Sequence, residues 1–328
     1  MNKIVSISSI VLLFVAGMGA LSYSQEWFPF SSSSESILLE AFQNMSQNNT
    51  SHFEADISVK AEQEGEKADI LLSIKGDIDQ TNIENPKSNI EFDGKLEMEG
   101  MSFSMGVESR NIGEKDLYFR ITTIPAIPFL GMMGIDTENL KDQWIKVNEE
   151  YLEQSLNQNQ KMVEEITELL TEKEILIIQE KLSNEKINNI NCYHYLISVG
   201  KDELVKVVPE FIEIVMENDI SSEEMSEEDK QKLTDEAIDS FEILLNKIGD
   251  INYEVWIGKK DKQFYQFKMN KNIDIYELYG GLSDVEGDLD FSLKMNFSEF
   301  NKEINIQSPE EFKTLNELFP SEMLEFGM

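Results

Sequence analysis

Chemistry in a protein usually announces itself through a few reactive side chains at fixed spacing, and this chain holds few of them. Cysteine occurs once, at Cys192, so no internal disulfide and no two-cysteine metal or redox motif can form. Histidine occurs only at His52 and His194, far apart in sequence, which leaves no HExxH helix and no pair of imidazoles for a metal. On one extended strand Cys192 and His194 would share a face, as a nucleophile and base must. A buried thiol beside a satisfied imidazole is the simpler reading, because Cys usually packs as a small apolar group. No GxSxG elbow, GxxxxGK[ST] loop or GxGxxG turn is present, which removes support for serine hydrolase and nucleotide chemistry.

Acids are abundant but not arranged. The run from Asp219 to Asp229 lacks the glycine and ligand spacing of a calcium loop, and Asp77, Asp79 and Ser88 fail the same test because Asn82 stands where Gly is required. A solvated charged face accounts for both. Arginine occurs only at Arg110 and Arg120, so forked clamping of phosphate or carboxylate has few sites. With 28 Lys+Arg against 63 Asp+Glu the net charge is -35, and such a polyanion repels nucleic acid. No catalytic residue, metal site or cofactor is expected, and an enzyme is the least supported class.

The elements that would position any site begin after an N-terminal segment of a different kind. Lys3 precedes an apolar run from Ile4 to Leu21, and Ser22-Tyr23-Ser24 then offers small residues where a signal peptidase cuts. Residues 1–24 are expected to be a secretory signal or, uncleaved, a membrane anchor, so the chain is exported to the cell envelope, periplasmic or extracellular. Membrane association would run through residues 4–21. No Cys follows the run, so nothing there can be acylated. Residues 25–35, aromatic and then serine-rich, form a linker, and 36–328 is expected to be a single α+β domain. At 328 residues the chain can bury a large core without staples.

Ser32 with Glu35 caps a short helix bearing Ile37, Leu38, Ala41, Phe42 and Met45 on one side. Period-2 alternation then dominates. Ile70, Leu72, Ile74 and Ile78 are apolar against Asp69, Ser73, Lys75 and Asp77. Ile90, Phe92, Leu96 and Met98 repeat the pattern, followed by Met101, Phe103, Met105 and Val107, and by Leu117, Phe119 and Ile121. With turns at Glu99-Gly100 and Ile112-Gly113, this predicts an antiparallel meander with one dry and one wet face. Residues 122–135 form an apolar loop broken by Pro125 and Pro128, which must cover something.

A strand at Trp144 to Val147 precedes a helical middle, 149–249, in which two helices over 149–182, a strand at Ile190–Val199, a helix broken or kinked at Pro209 and a helix capped by Ser226 and Asp229 are expected. A second meander follows at Ile251–Ile257, Gln263–Met269 and Leu289–Phe297. Ser308, Pro309 and Glu311 carry the signature of a final helix start.

Asp116 to Pro128, Asp142 to Val147, Cys192 to Asp202 and Phe297 to Pro309 sit in a layout that resembles the LolA/LppX-like group of exported lipid and lipoprotein carriers. The resemblance spans nearly the whole mature chain and is one of layout, without an invariant motif. It implies a large curved antiparallel sheet, an incomplete barrel, packed on helices, with an apolar cavity between them that holds acyl chains. This chain departs from the group's lipoprotein members in lacking a lipid-accepting Cys, and its helical middle is longer.

The apolar inventory agrees with such a cavity. Ile70, Leu72, Ile74, Phe92, Met98, Phe103, Met105, Phe119, Ile127, Phe129 and Met132 are the candidate lining residues, and flexible thioethers suit a surface that adapts to variable chains. The expected partner is a lipid, an acyl chain or another apolar ligand. The alternative is an envelope-associated structural or protein-interaction domain whose sheet and helices close on each other without a ligand.

Overall fold

A computed structural model describes residues 33–63, 66–82, 85–113, 116–124, 140–147, 165, 169, 176–217, 226–274 and 287–318. Helix α1 (Ser33–Ser46) is followed by β1 (Thr50–Gln63), β2 (Glu66–Asp79), β3 (Lys87–Met98), β4 (Met101–Ile112), β5 (Leu117–Thr123) and the short β6 (Ile145–Lys146). Then come β7 (Leu176–Ile187), β8 (Ile190–Val199), α2 (Lys201–Glu217), α3 (Glu227–Ile248), β9 (Ile251–Gly258), β10 (Phe264–Asp274), β11 (Gly287–Ser298), β12 (Lys313–Thr314) and the single turn α4 (Leu315–Leu318). The strands hydrogen-bond in the order β12-β6-β5-β4-β3-β2-β1-β11-β10-β9-β8-β7. The ends β12 and β7 do not pair, so the sheet is large, antiparallel-rich and open, not a closed barrel, and α+β is the fold class.

Two compact units divide the chain. One holds α1, β7, β8, α2, α3, β9 and Phe264–Met269 of β10; the other holds β1 to β6, the rest of β10, β11, β12 and α4. In the first unit α1 lies against β7 and β9, burying Leu38, Ala41 and Phe42. Phe42 meets Phe264 at 4.7 Å between ring centroids, and Phe264 meets Phe267 at the same distance. Tyr195, Ile197 and Val199 of β8 alternate inward beside Tyr253, Val255 and Ile257 of β9, all buried. Helices α2 and α3 pack on each other through Val208, Ile212 and Leu245.

Two sequence expectations are corrected here, and one alternative of a third is excluded. Residues 176–182, the end of the region expected as helix, belong instead to β7, which is joined to β8 through Asn188 and Asn189, both at positive φ (47° and 67°). Two successive asparagines in the left-handed region make the tight turn that a hairpin needs, and cross-strand pairing overrides the helical propensity of the Glu/Lys-rich segment. Of the break or kink expected at Pro209, the break does not occur: α2 runs from Lys201 to Glu217 with Pro209 inside it, Val208 and Ile212 being buried, and the missing N–H costs one bond. The last helix begins at Leu315 rather than near Ser308. Lys313 and Thr314 first pair with β6, and Glu317 Oε2 then accepts the Thr314 N–H at 2.7 Å, a capping box six residues further on. The strand β1, which also alternates, is an addition to the sequence reading. It lies between β2 and β11.

Candidate functional site

The second unit builds its largest feature from cross-strand register. Pairing places Phe297, Phe53, Gly76, Ile90, Ser109 and Phe119 in one row across six strands. The next rows are Met295, Ala55, Ile74, Phe92, Val107 and Ile121; then Leu293, Ile57, Leu72, Gly94 and Met105; then Phe291, Val59, Ile70, Leu96 and Phe103; and last Leu289, Ala61, Ala68, Met98 and Met101. Directly paired residues share a face, and alternate residues along a strand return to it, so all of these side chains stand on one side. Eight of the eleven candidate residues, Ile70, Leu72, Ile74, Phe92, Met98, Phe103, Met105 and Phe119, therefore come together. Ile127, Phe129 and Met132 lie outside the described residues.

Burial is graded across this apolar face. On β1 and β11 the side chains of Ala55, Ile57, Val59, Phe291, Leu293 and Phe297 are buried. On β2 and β3 Ile70, Leu72, Ile74 and Phe92 are half-buried, as are Phe103 and Phe119 further along. At the β3–β4 hairpin tip Met98, Met101 and Met105 stand 36%, 50% and 45% exposed. Glu99 and Gly100 turn the chain there at φ 42° and 80°, and a Cβ added at Gly100 would meet nothing, so glycine serves the backbone alone. Gly94, in the middle of the face, is overhung by Phe92, whose ring would lie 3.2 Å from an added Cβ.

The opposite face of the same strands is polar and carries ion pairs such as Lys75 with Glu91 at 2.8 Å and Lys95 with Glu97 at 2.6 Å. The Glu91 contact holds the Lys75 ammonium above its ordinary range. Toward β4 and β5 this face contains a cluster that sequence reasoning missed. Arg120 is the cross-strand partner of Glu108, and both clamp together, Arg120 Nε reaching Glu108 Oε2 at 2.7 Å. Arg110 Nη2 reaches the other oxygen at 2.9 Å, while its Nε donates to Asn89. Both guanidinium groups stand over Trp144, at 4.6 and 4.8 Å from the ring. The buried carboxylate is thus held by the only two arginines in the chain; their scarcity was the available signal, and register supplies the convergence.

In the first unit Cys192 and His194 do share a strand face, but the structure uses them separately. The Cys192 thiol contacts the Ile190 carbonyl at 3.5 Å, is fully buried, and is pushed up in pKa chiefly by that burial. His194 stacks on Trp256 at 4.2 Å and lies 2.9 Å from Glu254 Oε2. Trp256 Nε1 donates to Glu185 at 3.1 Å, so the group ties β7, β8 and β9 together. His52 lies 2.8 Å from Asp77, and the Asp79 carboxyl is held low by hydrogen bonds from Thr81. Among the described residues no group of three acidic, Cys or His side chains forms a metal site. Among the described residues, too, no helix is long and apolar enough to cross a membrane.

The fold and its main surface thus define an open antiparallel sheet with one continuous, partly exposed apolar face. No family model matches the chain, and no curated protein matches it. Among solved structures it is similar to LprF from Mycobacterium bovis, at 11% identity and a TM-score of 0.38, covering 85% of this chain and 98% of that one. It is also similar to the Mycobacterium tuberculosis lipoprotein LppX, at 13% identity and a TM-score of 0.33, covering 84% and 100%. A DUF1329 family protein from Desulfovibrio piger gives 9% identity and a TM-score of 0.20, covering 89% and 99%. All three overlaps are distant.

Proposed function

We propose that this is an exported, non-enzymatic protein that binds a lipid or another apolar ligand on the apolar face of its second unit. One observation carries the reading: the face grows steadily less buried from β1 to the β3–β4 tip, where three methionines stand open to solvent. A purely structural sheet would be expected to bury such a face, since contiguous exposed apolar surface on a soluble protein marks an interaction site. Unbranched thioethers adapt to ligands of varied shape. Burying a 16-carbon chain supplies on the order of 10 kcal/mol at about 0.8 kcal/mol per methylene, so affinity needs few polar contacts and leaves no sequence motif.

Export rests on the Lys3, Ile4–Leu21 and Ser22–Ser24 pattern, which acts as a cleaved signal or as an anchor that keeps the domain at the envelope. The test is organic extraction and native mass spectrometry of the purified full chain, followed by titration with a fluorescent fatty acid. Co-purifying lipid, or saturable uptake displaced by unlabelled fatty acid, is expected. A chain that emerges lipid-free and takes up no fatty acid overturns the reading and leaves the envelope interaction domain.

A further inference from the structure

Exposure sorts the methionines of the described residues into two groups. Met45, Met216 and Met295 are half-buried and Met269 is buried, whereas all three exposed ones, Met98, Met101 and Met105, stand together on the apolar face of the second unit. Register accounts for the grouping. Met98 and Met101 are direct cross-strand partners at the end of the β3–β4 hairpin, where only the Glu99-Gly100 turn follows and a Cβ added at Gly100 would meet nothing. Met105 pairs with Gly94, which has no side chain to stand beside it. Met269, by contrast, pairs with the buried Tyr253.

A thioether in water keeps its sulfur lone pairs unprotonated and so stays reactive toward peroxides across the ordinary pH range. The single thiol of the chain does not compete for such an oxidant. Cys192 is fully buried, and burial also raises its thiol pKa, so thiolate is scarce. The sulfur most open to attack in the described structure therefore lies where the ligand would sit.

We infer that Met98, Met101 and Met105 are a modification site for hydrogen peroxide, and that their oxidation to sulfoxides closes the apolar face to its ligand. The inference rests on the carrier reading of that face. In each event the sulfur lone pair attacks one peroxide oxygen, forming the S–O bond as the O–O bond breaks. The leaving hydroxide takes the proton from the transferred oxygen and departs as water; sulfur is oxidised by two electrons and the peroxide reduced. A chain of net charge -35 repels anionic oxidants but not neutral hydrogen peroxide. In the free protein each sulfoxide oxygen can turn to water, because these side chains are already partly exposed, so the fold survives. Under an acyl chain the oxygen finds no donor, since Leu96 and Phe103 between the methionines are apolar. A loss of about fivefold in affinity per site gives about 100-fold for three. Oxidation thus releases the ligand without unfolding the carrier, and reduction of the sulfoxides resets it.

The test is titration of the full chain with a fluorescent fatty acid before and after hydrogen peroxide, with peptide mass spectrometry following each methionine. Sulfoxide at Met98, Met101 and Met105 well before Met269 is expected, with a Kd raised about 100-fold and restored by methionine sulfoxide reductases and a thiol. Bound fatty acid should slow oxidation of the three by a factor of 1 + [L]/Kd, about tenfold at ten times Kd. In a Met98→Leu, Met101→Leu, Met105→Leu variant, compared only with itself, the ratio of Kd after peroxide to Kd before should stay near one, because leucine keeps the apolar bulk and removes the sulfur. Three sulfoxides with an unaltered Kd, an equal rise in the leucine variant, or oxidation of Met269 at the same rate would each overturn the switch while fatty-acid binding stands. A chain that takes up no fatty acid before peroxide overturns the carrier reading and the switch together.

Discussion

Replacing Met98, Met101 and Met105 together by serine separates a binding face from a merely unfinished core. In the free protein these side chains are 36%, 50% and 45% exposed, so roughly half of each one's apolar surface is still in water. Fully burying a methionine yields about 1.5–3 kcal/mol, so the half that a ligand would cover is worth about 1 kcal/mol per residue. The triple variant should therefore lose about 3 kcal/mol of ligand affinity, a Kd raised about 100-fold for a fluorescent fatty acid. Folding should lose about 1 kcal/mol per site, from the half of each side chain that is already out of water, and the variant should stay folded. The control is Ile57→Ala on the buried part of the same face, which should cost about 2–5 kcal/mol in urea unfolding, since it opens a cavity. Fatty-acid affinity within threefold of the parent in the triple variant, with folding intact, would refute the reasoning.

Glu108→Ala should cost about 2–3 kcal/mol in urea unfolding, below the full cost of breaking a buried pair because Arg110 and Arg120 are 29% and 33% exposed and water can partly solvate them. Tyr195, Tyr253 and Tyr265 are all raised above the ordinary phenol value by burial, with Asp261 adding to the effect at Tyr265. The folded chain thus keeps these protons longer than the unfolded chain, so their stabilisation is full below about pH 10 and is lost as pH rises through the folded values. Urea midpoints measured upward from pH 9 should fall, and a flat profile would contradict the burial of these phenols. Cys192, buried and raised in pKa, should react with a thiol reagent at neutral pH only as fast as the protein unfolds, and at the ordinary rate in denaturant.

Alternation made most of the sheet legible. In β2 to β5 and β9 to β11 the inward side chains are mostly Ile, Leu, Phe, Val and Met and most outward ones are charged or polar, so period and face could be read directly. Each candidate residue within the described segments also fell on a single face, because face follows from parity once the strands are placed. What parity could not give was the gradient of burial, which depends on the neighbours each row acquires, or the meeting of Glu108 with Arg120, which depends on register. The final helix was misplaced for a related reason. Ser308, Pro309 and Glu311 form a good cap signature, but Thr314 and Glu317 form another, and the second wins because Lys313 and Thr314 are first drawn into pairing with β6.

The most instructive error is β7, and its cause lies in the openness of the sheet. A sheet that does not close leaves two edges whose unpaired N–H and C=O groups would recruit another chain unless something discourages it. At one end the edge is trimmed to two residues, β12 beside β6. At the other, β7 runs for twelve residues and is bulged twice, between Ile178 and Glu180 and between Leu182 and Glu185. Gln179, Glu180, Lys181, Ser183, Asn184, Glu185 and Lys186 along it are all exposed. Charged side chains and bulges are the devices that blunt an edge strand. The same Glu and Lys residues raise helical propensity and erase the alternation by which a strand is recognised, so the residues that protect the open sheet are also the ones that disguise its last strand as a helix.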